Sequence, residues 1–402
     1  MNRRIKIGVF GAWRGQSFIS LLKHFKEEAY CCAVCDKNEQ MLEHVKQWCE
    51  EDTRFFTDVD DFFEFEMDAV ILCNYFHEHA PYAVRALDKG IHVLSETTAA
   101  GTLKECVELV EAQERSSAIY ALAENYPYML CNQELERIYK GGTLGKVIYA
   151  EGEYVHPMNI NEAKYLTPNS LHWRAWLPRT YYLTHSLAPL MMITDTMPVY
   201  VNAKSVHSEL FDEMLVKTGI RKVSDMVSIM LVEMDNGALF RVTGSASFGP
   251  HGNWYRLACE KGGAESIRGN QNLVRLAYNP WNTPEGEETE RTYQPEWPSH
   301  KELAEKAGHG GGDFWVIYHF LNNIKEGTKP YFDVYKAVSM SAVGILAWRS
   351  SLERGAEYKI PDFRNKAERD KCRNDDLSPF PDENGKATLP CSSKYADWYK
   401  KV

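Results

Sequence analysis

Several groups of residues in this chain have the types and spacing that chemistry needs. Gly8-Val9-Phe10-Gly11-Ala12-Trp13-Arg14-Gly15 closes a first predicted strand and opens a helix. Glycine there allows a tight turn and lets the backbone approach a pyrophosphate. The unpaired N–H groups of the helix start, at Ala12, Trp13 and Arg14, would stabilise its charge. The spacing Gly11-x-x-x-Gly15 departs from the usual pattern, with Trp13 where a second glycine would stand. Asp36 ends the second predicted strand 36 − 11 = 25 residues later, where a carboxylate can accept from both hydroxyls of an adenosine ribose. Its charge repels a 2′-phosphate and selects NAD over NADP, although Lys37 beside it leaves room for NADP. The competing readings are an ordinary strand-to-helix turn and a solvated strand end.

Tyr182 and His185 stand one helical turn apart at a predicted helix start, so both can face one pocket. As an imidazole that can both take and give a proton, His185 can relay the proton of a reacting hydroxyl, with Tyr182 as general base or acid. A pair that caps the helix or packs the core is the competing reading. His309 precedes Gly310-Gly311-Gly312, and Asp313 opens a helix. Both can bind a sugar hydroxyl, and for Asp313 a plain N-cap is the alternative. Trp173-Arg174 offers an aromatic face and a charged fork to a sugar ring or cofactor, with buried packing as the alternative for Trp173. Trp281 and Trp297 are further candidates for a platform or lid. Asn74, His79, Glu96, Thr97 and Asn125 lie at or just after predicted strand ends, the edge where open α/β sheets bind ligands. They are expected to touch the cofactor. His77-x-His79 has no third ligand at metal spacing, and Cys32-Ala33-Val34-Cys35 reads as strand with no second pair, so no metal is expected.

The elements that must position these groups follow from periodicity. The first 125 residues alternate short apolar runs (5–10, 30–35, 69–73, 92–95, 119–123) with amphipathic stretches (39–50, 81–89, 103–115), the rhythm of a parallel sheet covered by helices. After Tyr126 comes a helix over about 129–139. Long alternating runs at 146–156, 225–234 and 238–248 then predict an antiparallel sheet, with Asp235-Asn236-Gly237 as a hairpin turn. Residues 279–312 read as a long loop, and helices return at 314–325 and, capped by Asp333, at 334–354. The polar remainder carries Tyr395, Trp398 and Tyr399 and is expected to wrap a surface of its own chain or of a neighbour. The expected division is 1–125, 126–363 and a polar arm 364–402.

The bulk properties narrow the function. With 402 residues, 44% hydrophobic and 25% charged, the chain is neither disordered nor fibrous. Its net charge of −10 opposes adhesion to nucleic acid or anionic membranes, so neither is an expected partner. No apolar run reaches the roughly 20 residues of a membrane helix. The start of the chain reads as a strand without a signal core, and ten scattered cysteines suit a reducing compartment. A cytoplasmic protein is expected.

The order of motifs resembles the Gfo/Idh/MocA family of glucose–fructose oxidoreductase and inositol dehydrogenase type. It is carried by Asp68 to His79, Ala83, Ala86-Leu87, Gly90 and His92-Val93-Leu94-Ser95-Glu96, and it covers the chain from Ile5 to about Phe363. The resemblance implies an N-terminal Rossmann domain with a doubly wound parallel sheet. A C-terminal α+β domain with a large open, mostly antiparallel sheet follows, with a sugar-like substrate and a homo-oligomer through the open sheet. Two departures stand out. The family's Glu-Lys-Pro is here Glu96-Thr97-Thr98, which lacks the proton-relay lysine, and its Asp-x-x-x-His is here Tyr181-x-x-x-His185.

Leu122 to Tyr126, Tyr149 to His156, Trp173-Arg174, Tyr182 to Pro189 and Gly308-His309-Gly310-Gly311-Gly312-Asp313-Phe314 resemble a narrower group, the NAD-dependent α-N-acetylgalactosaminidases, which also lack the lysine. That resemblance makes Tyr182 the catalytic tyrosine. It implies a cycle in which the 3-hydroxyl is oxidised, the proton at the 2-position leaves, the glycosidic bond eliminates, water adds and the ketone is reduced again. The alternatives are a net sugar dehydrogenase or keto-sugar reductase using NAD(H), and a non-catalytic nucleotide-binding regulator.

Overall fold

The computed structural model describes residues 3–209, 217, 219, 225–247, 249–382 and 384–395. It divides into two compact units, one of Met1–Asn125, Pro298–Val338 and Asp370–Asn374, the other of Tyr126–Trp297, Ser339–Arg369 and Asp375–Val402.

The first unit is built on six parallel strands: β1 (Ile5–Phe10), β2 (Ala29–Cys35), β3 (Arg54–Phe56), β4 (Ala69–Leu72), β5 (His92–Ser95) and β6 (Tyr120–Leu122). Their order β3-β2-β1-β4-β5-β6 is the doubly wound Rossmann arrangement, with the reversal between β1 and β4. Ile7, Val9, Val34, Val70, Ile71 and Val93 are fully buried, as expected of strands covered on both faces. The crossover helices start at sequence-encoded caps. Asn38 accepts from the N–H groups of Gln40 and Met41, and Thr102 forms a reciprocal capping box with Glu105. The helix Gly312–Glu326 returns to this unit and packs against the helix Ala12–Leu22. Cys32 and Cys35 are buried in β2. Among the described residues, no group of three or more His, Cys, Asp or Glu could hold a metal ion.

The second unit carries nine strands: β7 (Val147–Val155), β8 (Pro198–His207), β9 (Asp225–Met234), β10 (Leu239–Ala246), β11 (Gly252–Cys259), β12 (Gly262–Ile267), β13 (Asn270–Tyr278), β14 (Glu290–Tyr293) and β15 (Tyr358–Lys359). Their order is β14-β13-β12-β11-β7-β10-β9-β8-β15. β7 and β10 run parallel, while the neighbouring pairs β7–β11, β9–β10 and β8–β9 are antiparallel. The expected hairpin joins β9 to β10, with Gly237 at φ 81° and its N–H on the Met234 carbonyl at 2.8 Å.

The long loop expected over 279–312 is not bare. It contains β14 at the sheet edge and the helix Lys301–Lys306, and Trp281, offered as a platform or lid, stands 82% exposed. Glu290-Arg291-Thr292-Tyr293 is too short and polar to announce a strand, and Arg275 of β13 holds Glu290 from the next strand at 2.9 Å.

The polar arm folds onto its own chain. The buried Asp225 carboxylate accepts from the Ser393 N–H and hydroxyl and from the Ser392 hydroxyl, and the Trp348 indole donates to the Pro390 carbonyl at 2.9 Å. Trp398 and Tyr399, and Phe248 at the end of the third alternating run, lie outside the described residues. Among the described residues, no helix is long and apolar enough to cross a membrane.

Candidate functional site

The carboxyl edge of the first sheet brings together the residues expected to meet a nucleotide. Gly11 turns the chain at φ 95°, and a Cβ there would stand 2.3 Å from the Cys73 carbonyl oxygen, so the end of β4 leaves room for no side chain. The helix Ala12–Leu22 starts at once, and Gly15 packs it onto Val9 of β1. Trp13 is 48% exposed, which is how the helix tolerates it in place of a glycine. Asp36 lies at the end of β2. It accepts from the Ala12 N–H at 2.7 Å and the Asn38 N–H at 2.9 Å, which fixes a carboxylate beside the glycine turn.

Arg14 engages both Glu96 and Asp313. The Arg14 guanidinium donates to Glu96 at 2.6 Å and holds Asp313 in a fork at 2.8 and 3.1 Å. Asp313 also accepts from the Asn125 amide at 2.7 Å, and its other oxygen faces His309 Nδ1 at 3.0 Å. Burial by itself would raise the Asp313 carboxyl, but the His309 bond and the Arg14 charge hold it well below the usual carboxylate range. His79, expected at the cofactor, places its two ring nitrogens against the backbone carbonyls of Thr98 and Asn74, at 2.9 and 3.3 Å. Burial lowers its pKa. Thr97 is buried after β5, and its N–H is 3.2 Å from a Glu96 oxygen.

These residues fit an NAD molecule. Gly11 leaves a cradle that a Cβ would fill, Asp36 places a carboxylate beside it, where a ribose hydroxyl could donate, and the buried carboxamide oxygens of Asn74 and Asn125 have no hydrogen-bond partner among the described residues. Buried acceptors without donors are costly, and a ligand bringing ribose hydroxyl or amide N–H groups would satisfy them.

In the second unit, β7 sets the other candidates. Alternation puts Ala150, Gly152 and Tyr154 on one face and Glu151 and Glu153 on the opposite one. A Cβ at Gly152 would lie 2.0 Å from the Ser186 carbonyl oxygen, so the helix Thr184–Thr194 crosses β7 in direct backbone contact. That crossing lays His185 beside Tyr154, with ring centroids 5.1 Å apart. Tyr182 ends the single helical turn Arg179–Tyr182, half-buried, and its ring meets His185 edge-on at 5.0 Å. Tyr126 stacks on His185 at 4.1 Å with 23° between planes. Burial, then the neighbouring Tyr182 and Tyr126 hydroxyls, push Tyr154 well above its ordinary pKa. Arg174 lies 4.2 Å over the Trp173 ring and 5.9 Å from that of Tyr182. Burial lowers Arg179 to about 10, and its Nε donates to the Asp225 carbonyl at 3.0 Å.

Tyr182, His185, Trp173 and Arg174 thus share one aromatic cluster. Tyr126 and Tyr154 belong with them, and Tyr255 joins through its hydroxyl, which donates to the His185 carbonyl; none of the three was singled out beforehand. The period-2 pattern of β7 could have placed Tyr154 beside Gly152. Tyr126 and Tyr255 reach the cluster only through pairing and packing remote in sequence.

Comparison with known proteins agrees with this architecture. Residues 5–124 match the family model described as the oxidoreductase family, NAD-binding Rossmann fold, and residues 261–368 match the glycosyl hydrolase 109 C-terminal domain. A glycosyl hydrolase family 109 protein of Solibacter usitatus is 26% identical over 398 residues, covering 90% of this chain and 89% of its own. A Shewanella oneidensis protein named alpha-N-acetylgalactosaminidase is 22% identical over 391 residues, covering 89% and 85%. Among solved structures, a levoglucosan dehydrogenase in complex with NADH and levoglucosan has a TM-score of 0.74 at 14% identity, covering 89% of this chain and 100% of that one. An oxidoreductase domain protein from Kribbella flavida reaches 0.75 at 18%, covering 90% and 100%. The chain thus joins a segment that matches the NAD-binding Rossmann fold of the oxidoreductase family to one that matches the C-terminal domain of glycosyl hydrolase 109.

Proposed function

We propose that this protein cleaves a glycoside by a redox-neutral route. The 3-hydroxyl of the sugar is oxidised to a ketone, and the acidified proton at the 2-position is removed. The aglycone leaves with a proton, water adds across the resulting double bond, and the ketone is reduced to the original alcohol. NAD, when bound, supplies the hydride acceptor and returns the hydride at the end. No paired-carboxylate machinery is required, as in other NAD-dependent glycosidases. Tyr182 acts as general base and acid, His185 relays the proton of the 3-hydroxyl, and Trp173, Arg174 and His309 bind the sugar. The observation that carries this reading is the 5.0 Å edge contact of Tyr182 with His185 in a chain where Thr97 stands in place of the relay lysine. The relative named alpha-N-acetylgalactosaminidase supports a glycoside as substrate.

A net sugar dehydrogenase is the second reading, favoured by the fold likeness to levoglucosan dehydrogenase. One experiment separates the two: nitrophenyl glycosides with purified protein, following nitrophenol and net NADH with and without added NAD. Nitrophenol without net NADH supports the glycosidase. NADH without nitrophenol supports the dehydrogenase, and neither signal supports a nucleotide-binding regulator.

The protein works as a homo-oligomer in a reducing cytoplasm. The sheet face bearing Glu151 also exposes Ile229, Leu231 and Leu239, each about two-fifths accessible, which supports burial against a second copy. A monomeric mass by light scattering would contradict this.

A further inference from the structure

Asp313 is 1% exposed at its side chain, and each of its oxygens has two partners. One oxygen accepts from Arg14 Nη2 and Asn125 Nδ2, and the other accepts from Arg14 Nη1 and faces His309 Nδ1. An ionised carboxylate only accepts, so the nitrogen facing it must carry the proton. A neutral imidazole protonated at Nδ1 has its lone pair on Nε2. The loop is shaped to make this bond. His309, Gly310 and Gly311 follow one another at φ 52°, 58° and 92°, a left-handed run that folds His309 back onto the residue four places later. A residue with a Cβ is unfavourable there and persists only where its surroundings hold it. Arg14 in turn is anchored by Glu96 at the end of β5.

We propose that Asp313 is a positioning residue that holds His309 as the Nδ1–H tautomer, so that Nε2 is the atom His309 offers as acceptor to a hydroxyl of the sugar. Asp313 itself does not contact substrate, and Arg14 serves as its counter-ion rather than as a pyrophosphate ligand. The sugar hydroxyl in this inference rests on the reading above, whereas the tautomer does not.

The test is nitrogen NMR of protein labelled with [15N]histidine at a pH where the ring is neutral, with the His309 signal identified by its loss in His309→Gln. The wild type should show Nδ1–H. In Asp313→Asn the single amide oxygen is claimed by Arg14 and Asn125, which turns the NH2 toward His309 and should invert it to Nε2–H. On a turned-over glycoside, Asp313→Asn should lower kcat/KM about 10- to 100-fold, the loss of one hydrogen bond to the substrate, and the double variant should fall no further than His309→Gln.

An Nε2–H wild type, or an unchanged tautomer in Asp313→Asn, overturns the proposal. An inverted tautomer with unchanged kcat/KM overturns the acceptor role. If Asp313→Asn does not fold, the wild-type spectrum alone decides the tautomer. If the wild type turns over no sugar, the glycosidase reading falls while the spectrum still decides this one.

Discussion

The Tyr255 hydroxyl donates to the His185 backbone carbonyl at 2.5 Å. In a regular helix that carbonyl would accept from the N–H of the residue four places on, which here is Pro189 and has none. A buried tyrosine from β11 thus fills an acceptor that the helix cannot fill, at the residue assigned to relay a proton. Tyr255→Phe should cost about 1–3 kcal/mol by leaving the carbonyl unpaired, and should loosen His185 and lower kcat. Urea unfolding and steady-state kinetics measure both. Unchanged stability would mean that the carbonyl finds another donor.

Tyr182 is the residue whose hydroxyl the proposed reaction cannot do without. Tyr182→Phe keeps the ring edge on His185 and removes the proton-transferring atom. Glycoside cleavage should fall about 100-fold or more, with NAD affinity unaltered. Release of nitrophenol at the wild-type rate would remove Tyr182 from its role.

Much of the first unit is legible because its signals are local. Strands buried on both faces read as continuous apolar runs, and caps such as Asn38 and Thr102 sit at fixed offsets from the helices they start. Gly11 and Asp36 were readable for the same reason. The aromatic cluster is different: Tyr182, His185 and Trp173-Arg174 stood out by type and spacing, but Tyr255 becomes relevant only because β11 pairs with β7 and Pro189 frees a carbonyl. Asp313 read equally well as a cap or a sugar ligand. Its partnership with Arg14, 299 residues away in sequence, could not be inferred from either end.

Asp36 should decide which dinucleotide binds. Its carboxylate is held at the glycine turn by the Ala12 and Asn38 N–H groups, so its charge is already in place before a ribose arrives. Asp36→Ser removes charged acceptors for the ribose hydroxyls and should weaken NADH binding by about 1.5–3 kcal/mol, on the order of 10- to 100-fold. It should narrow the preference over NADPH, helped by Lys37. Fluorescence titration with both cofactors reads the two effects, and an unchanged NADH affinity would mean that Asp36 caps the helix and nothing more.

His77 should make stability fall in acid. Burial, with His79 adding to it, pushes its imidazole down from 6.5 to about 4. The unfolded chain therefore takes up a proton between pH 6.5 and 4 that the folded chain refuses. The folded state loses stability as the pH drops through that window, and the loss levels off below pH 4. About 1.4 kcal/mol per pKa unit puts the full effect at about 3 kcal/mol. His77→Gln removes this contribution while leaving that of His79, so denaturant unfolding from pH 7 to 4 should show the wild type losing about 3 kcal/mol more than the variant. Parallel curves would mean that His77 titrates alike in both states, and so that its ring is open to water in the folded protein.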